Sequence, residues 1–147
     1  MKKIAIIKTK WNTDFVNNAA DACWKRLNEL WVSSEHMDTF IVPWAVEIPL
    51  LAKKLIKDNH FDAVIAIAVI YRGGIYRHEF VASSVVHEII RLSSELEKPI
   101  FSSVLTPDTD HFSNPEKTEF YLEHLKTKWI EVADACIETL ELHDSIS

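Results

Sequence analysis

The chain has 147 residues, of which 48% are hydrophobic and 26% charged, and its formal net charge is −6. This composition is typical of a soluble globular protein with a real core, and it excludes a disordered chain. We therefore predict one domain over residues 1–147. The negative charge leaves no basic footprint for nucleic acid, and no run approaches the roughly 18 apolar residues of a membrane span.

Two cysteines, Cys23 and Cys136, lie in helix-like segments without C-x-x-C or histidine spacing. This pattern favours small core residues in a reducing compartment, so we expect a cytoplasmic protein. The first eight residues resemble a signal peptide, because two lysines precede an apolar run. That run is only four residues long and is followed by Lys8, so no signal peptide is expected.

Strand-like and helix-like segments alternate along the chain. Apolar, β-branched runs predict strands at residues 3–8, 39–42, 62–70 and 99–105. Helical periodicity predicts helices at residues 14–32, 45–57, 76–96 and 115 to about 142, and it leaves open a break near residues 126–128. The alternation implies an α/β, three-layer sandwich of flavodoxin-like type, with a four-stranded parallel sheet and helices on both faces.

The loops that follow the four strands should meet at one edge of this sheet, where open α/β proteins bind their ligands. The third loop holds the only two glycines of the chain, Gly73 and Gly74, followed by Arg77, His78 and Glu79. Adjacent glycines let backbone N–H groups approach an anion, and a helix N-terminus adds positive potential. The pattern indicates a phosphate site, although a plain glycine turn before a charged helical turn would also fit.

Two common occupants of this architecture do not fit the loop at residues 9–13. A response-regulator receiver needs acidic residues there to hold Mg²⁺, whereas this loop is basic and aromatic. A flavodoxin needs a glycine-containing loop to wrap a phosphate, and this loop has no glycine. Both functions are therefore unlikely on the sequence alone.

Four segments of the chain resemble the lumazine synthase family, in the right order and over nearly the whole length. They are Ile4–Trp11, Val42–Leu50, Gly73–Val81 and Val104–Pro107. The third, GGIYRHEFV, is most similar to the type that forms decamers. The resemblance implies condensation of 5-amino-6-ribitylaminouracil with 3,4-dihydroxy-2-butanone 4-phosphate to 6,7-dimethyl-8-ribityllumazine, the precursor of riboflavin. It implies no metal or organic cofactor, and self-association to a pentamer or decamer.

The resemblance also assigns roles to individual residues. Trp11 would stack on the pyrimidinedione ring, which suits an indole face, and Glu47 would accept hydrogen bonds from ribityl hydroxyls. The implied substrate-binding residues are Trp11, Trp44, Ala45, Val46, Glu47, Ile70, Tyr71, Arg72, Gly73, Gly74 and Ile75. The implied catalytic residues are Arg77 and His78, and the implied phosphate-binding residues are Gly73, Gly74, Arg77, His124 and Lys128. Without the resemblance, Trp11 could be a lid over the core and Glu47 a solvated first-turn glutamate.

Five positions depart from the family pattern, including Arg72 in place of an aspartate of the decameric type and Phe120 in place of a phosphate-binding arginine. Arg77 stands where the icosahedral members have a histidine that serves as proton shuttle, and arginine can hold phosphate but stays protonated. Trp44 and Trp129 each stand where the family usually has glycine. The indole of Trp44 would either fill the substrate site or turn outward against a neighbouring subunit. The sequence thus leaves two functions open, an enzyme and a pentameric binding or scaffold protein with a closed site.

Overall fold

A computed structural model describes residues 1–11, 13–71, 75–107 and 114–147. Four strands form one sheet, in the order β2-β1-β3-β4, and every neighbouring pair is parallel. The strands are β1 (Ile4–Thr9), β2 (Met37–Val42), β3 (Ala63–Val69) and β4 (Ile100–Leu105). The predicted parallel sheet is confirmed.

Helices cover both faces of the sheet, as predicted. They are α1 (Thr13–Glu29), α2 (Ile48–Lys57), α3 (His78–Leu96) and α4 (Pro115–Ile146). Successive residues of β1 and β3 point alternately into two cores, one under α1 and α4 and the other under α2 and α3. β3 is therefore apolar throughout, and β1 is apolar over its first four residues, which is the pattern of a parallel sheet covered on two sides.

Several predicted boundaries differ from the structure by a few residues, and two of these differences have a clear cause. β2 begins at Met37 and not at residue 39, because Met37 and Asp38 pair with the start of β1. The predicted helix at residues 45–57 begins as a 3₁₀ turn, Ala45–Glu47, and becomes α-helical only from Ile48.

The break considered near residues 126–128 is wrong, because α4 runs unbroken for 32 residues. Its buried residues recur every three or four positions, which keeps one face against the core. They are Leu125, Trp129, Ala133, Cys136 and Leu140. The polar residues 126–128 are the exposed arc between two buried positions, and not an interruption.

The layer between α1 and α4 is sealed from solvent. Trp129 is fully buried there, and its indole N–H has no hydrogen-bond partner among the described residues. Cys23 and Cys136 are both free and buried in the same core, and burial raises the pKa of each thiol to about 12. At the rim of this layer, Arg26 Nε donates to Asp134 Oδ1 at 2.6 Å and ties α1 to α4. Among the described residues, none of the helices is long and apolar enough to cross a membrane.

Candidate functional site

The carboxyl ends of the four strands lie level with one another. Thr9 is paired with Val42, and Val69 is paired with Leu105. The ladder continues one residue further, because Lys10 N donates to the Val42 carbonyl at 3.0 Å and Ile70 N to the Leu105 carbonyl at 2.8 Å. The loops after the strands therefore start from one rigid edge. We call the residues that follow it the strand-end site: Trp11, Trp44–Glu47, Ile70, Tyr71 and Ile75–His78.

Hydrogen bonds to backbone carbonyls hold Trp11 at this edge. The hydroxyl of buried Thr9 donates to the Trp11 carbonyl at 3.2 Å, and the hydroxyl of Thr13 donates to the Lys10 carbonyl at 2.7 Å. The Trp11 side chain is 55% exposed. An anchored backbone with an open indole is suited to stacking on a planar ligand, whereas a lid over the core would be buried.

Trp44 packs against the third loop of its own chain. Its half-buried indole meets the ring of Tyr76 edge-on, with 5.8 Å between centroids and 89° between planes. The Tyr76 hydroxyl donates to the Tyr71 carbonyl at 2.9 Å. Burial, with a smaller contribution from Tyr71, raises the Tyr76 pKa, so the hydroxyl keeps its proton as a donor. Trp44 thus joins the loops that follow β2 and β3.

Glu47 lies at the end of the short turn that begins after Trp44. The turn is closed by a bond from Glu47 N to the Trp44 carbonyl at 3.3 Å, and buried Ala45 anchors it to the core. Val46 and Glu47 are exposed. The carboxylate therefore lies in solvent beside the strand ends, where it can accept hydrogen bonds from a polyol.

Charged residues cluster where α3 begins. Arg77 Nε lies 2.7 Å from Glu79 Oε1, and His78 Nδ1 lies 3.0 Å from Glu79 Oε2. The guanidinium carbon of Arg77 also lies 4.7 Å from the centroid of the Phe80 ring. The hydrogen bond from Arg77 is the main cause that lowers the pKa of Glu79. No role was predicted for Glu79, and the local signal for one in the sequence is its spacing of two from Arg77.

Other implied site residues are less closely associated with this edge. Arg72, Gly73 and Gly74 lie outside the described residues, so the glycine phosphate loop stays a prediction. His124 and Lys128 are exposed on α4, across the sheet from α3. Lys128 Nζ is paired with Glu131 Oε2 at 3.0 Å. One chain alone therefore places these two side chains on the opposite face from Arg77.

Several large apolar side chains in the strand-end site and next to it are exposed to solvent. Trp11, Val46, Ile75 and Phe80 are all exposed, and Ile75 is completely so. A cluster of exposed apolar residues at one edge of a protein is typical of a surface that a ligand or another chain covers.

Comparison with known proteins gives consistent matches over almost the whole chain. The family model described as 6,7-dimethyl-8-ribityllumazine synthase matches residues 1–144. The chain is 37% identical over 139 residues to 6,7-dimethyl-8-ribityllumazine synthase 2 of Bradyrhizobium diazoefficiens, covering 95% of this chain and 82% of the relative. It is 35% identical over 143 residues to 6,7-dimethyl-8-ribityllumazine synthase of Rhodococcus erythropolis, covering 95% and 92%. It is 35% identical over 139 residues to the synthase 2 of Pseudomonas syringae pv. tomato, covering 95% and 81%.

Proposed function

Because the chain belongs to the 6,7-dimethyl-8-ribityllumazine synthase family, we propose that its strand-end site carries out that synthesis. The substrates are 5-amino-6-ribitylaminouracil and 3,4-dihydroxy-2-butanone 4-phosphate, and the product is the lumazine precursor of riboflavin. The observation that carries the proposal is that an exposed indole, an exposed carboxylate and an exposed guanidinium share one edge of the sheet.

The strand order supports a specific arrangement of the substrates. Glu47 follows β2, Trp11 follows β1 and Arg77 follows β3, and these three strands are neighbours in that order. The ribityl chain would lie near Glu47, the pyrimidinedione on Trp11, and the phosphate near Arg77. Buried Ile70 and half-buried Tyr71 follow β3 beside the ring position, and we propose that their carbonyl oxygens accept hydrogen bonds from the ring N–H groups.

The reaction needs positioning more than strong acid or base chemistry. The 5-amino group adds to the ketone and water leaves, phosphate is then eliminated, and the ribitylamino nitrogen closes the ring with loss of a second water. Arg77 stays protonated, so it stabilises the leaving phosphate but does not take up a proton. His78 Nδ1 lies 3.0 Å from Glu79 Oε2, and we propose its imidazole as the group that transfers protons, because imidazole is suited to general acid–base catalysis. Holding two reactants side by side supplies much of the remaining rate.

A closed binding or scaffold protein is not favoured. The Trp44 indole is accommodated against Tyr76, and Glu47, three residues further along, stays exposed. The position of Trp44 is therefore compatible with a polyol beside Glu47. The free thiols of Cys23 and Cys136 suit a reducing compartment, which supports a cytoplasmic enzyme.

Membership in this family implies oligomeric assembly, and we infer a pentamer or a decamer of two pentamers. Within one chain His124 and Lys128 lie across the sheet from Arg77, so a neighbouring copy would have to bring them to its phosphate. The exposed apolar residues around the strand-end site suit such a contact. Light scattering should give a particle about five or ten times the 16.9 kDa chain. A monomer or a megadalton particle would contradict this assembly.

The function is tested by following lumazine formation with Trp11→Ala and a matched control, Trp31→Ala. Trp31 is 93% exposed in the turn after α1, at the opposite edge of the sheet. Loss of the stacking surface should raise KM for the aminouracil about ten-fold in Trp11→Ala, whereas Trp31→Ala should match the wild type. Equal KM values for both variants would reject the stacking role, and a rate at the uncatalysed background for wild type would reject the function.

A further inference from the structure

The residues 77–80, at the start of α3, contact one another through their side chains. Arg77 Nε lies 2.7 Å from Glu79 Oε1, and the Arg77 guanidinium carbon lies 4.7 Å from the centroid of the Phe80 ring. The second carboxylate oxygen of Glu79 lies 3.0 Å from His78 Nδ1. The cation assigned to the substrate phosphate thus already has an anion from its own chain.

We propose that Glu79 is a positioning residue, an internal counter-ion that holds Arg77 until the phosphate of the butanone substrate displaces it. This inference rests on the proposed function, because it takes the phosphate to bind at Arg77. A guanidinium presents the same planar N–H groups to carboxylates and to phosphates, so Glu79 and the substrate compete for one donor. A phosphate ester carries more negative charge than a carboxylate, so it is the stronger competitor.

The surroundings make this exchange easy. The Arg77 and Glu79 side chains are 70% and 47% exposed, and ion pairs in solvent are weak. When phosphate takes Arg77, Glu79 keeps its contact with His78 and its place in the first helical turn, where negative charge is favourable. Phe80 continues to hold the guanidinium plane. Glu79 therefore makes Arg77 selective, because weakly bound monoanions do not displace a carboxylate that is already in position.

The test compares Glu79→Gln with Glu88→Gln in the full-length protein. Glu88 is a matched control, because its carboxylate pairs with Arg91 at 2.6 Å further along the same helix. Inorganic phosphate is titrated at constant ionic strength. We expect Glu79→Gln to bind phosphate about two- to five-fold tighter than wild type, Glu88→Gln to match wild type, and Arg77→Gln to remove the gain when added to Glu79→Gln. In turnover, KM for the butanone phosphate should fall by the same factor while KM for the aminouracil stays unchanged.

Phosphate binding that is equal or weaker in Glu79→Gln would overturn the counter-ion role, as would the absence of any phosphate binding in both proteins. The two proposals fail separately. Turnover without tighter phosphate binding in Glu79→Gln would reject only the role of Glu79. Tighter binding in a protein that forms no lumazine would keep the competition between Glu79 and phosphate for Arg77 and would reject the proposed function.

Discussion

Two tryptophans of this chain stand at positions where the family resemblance predicts glycine, and their surroundings in the fold differ. Trp129 is fully buried between α1 and α4, where its indole N–H has no partner among the described residues. Trp44 is half-buried at the strand-end site, with its ring against Tyr76. The Trp129 indole is part of the hydrophobic core, whereas the Trp44 indole forms part of the surface of the strand-end site. The fold thus accommodates a large side chain at each of the two positions.

The largest expected effect is on the stability of the buried position. Trp129→Ala removes an aromatic side chain from a sealed core, so we expect the free energy of unfolding to fall by about 3–5 kcal/mol. Denaturant titration measures this loss. Trp129→Phe is the control, because it removes the unpartnered N–H but keeps most of the apolar volume, and it should cost less. A loss below about 1 kcal/mol for the alanine variant would contradict the sealed layer.

The next largest effect is on the KM for the aminouracil when Glu47, which follows Trp44, is replaced. Glu47→Ala should raise KM for the aminouracil about ten-fold, because hydrogen bonds from the ribityl hydroxyls to a carboxylate are lost. KM for the butanone phosphate should change little. Glu35→Ala is the matched control, since Glu35 lies in the 3₁₀ turn before β2, at the other edge of the sheet. If Glu47→Ala changed KM for the butanone phosphate more, the assignment of Glu47 to the polyol would be wrong.

A smaller effect is the pH dependence of the unfolding free energy that comes from the two thiols buried between α1 and α4. Burial raises the pKa of Cys23 and Cys136 from 9.0 to about 12. The folded state therefore keeps both thiols protonated where the unfolded state loses protons, and their contribution to stability is full below pH 9 and declines towards pH 12. Replacing both cysteines by alanine should make the fall in unfolding free energy over this range less steep. An unchanged pH dependence would contradict the burial of the thiols.

The sequence was more informative about the fold than about the site. β3 is apolar at all seven positions, and the four strand–helix alternations allow little besides a parallel sheet. The start of β2 was missed because the charged, exposed Asp38 separates Met37 from the apolar run, and pairing with β1 defines the element there. In α4, the polar run at 126–128 looked like an interruption because only the packing against α1 shows which arc of the helix is buried.

The contacts around Trp44 could not be found in the same way. Trp44 and Tyr76 are far apart in the chain and meet only because the loops after β2 and β3 leave one edge of the sheet. The bond from the Tyr76 hydroxyl to the Tyr71 carbonyl joins two residues that no helical or strand periodicity relates. The family resemblance supplied candidate residues, and the fold showed which of them have partners that could hold them in place.

The most direct test of the whole account is the turnover number for lumazine formation by wild type and by Trp44→Gly, at saturating concentrations of both substrates. We expect wild type to exceed the uncatalysed background, and the glycine variant to be no faster, because the indole packs on Tyr76 and its removal frees the loop that carries Glu47. Wild type at background, together with rapid turnover by Trp44→Gly in an unchanged assembly, would show that the indole blocks the site and would contradict the account.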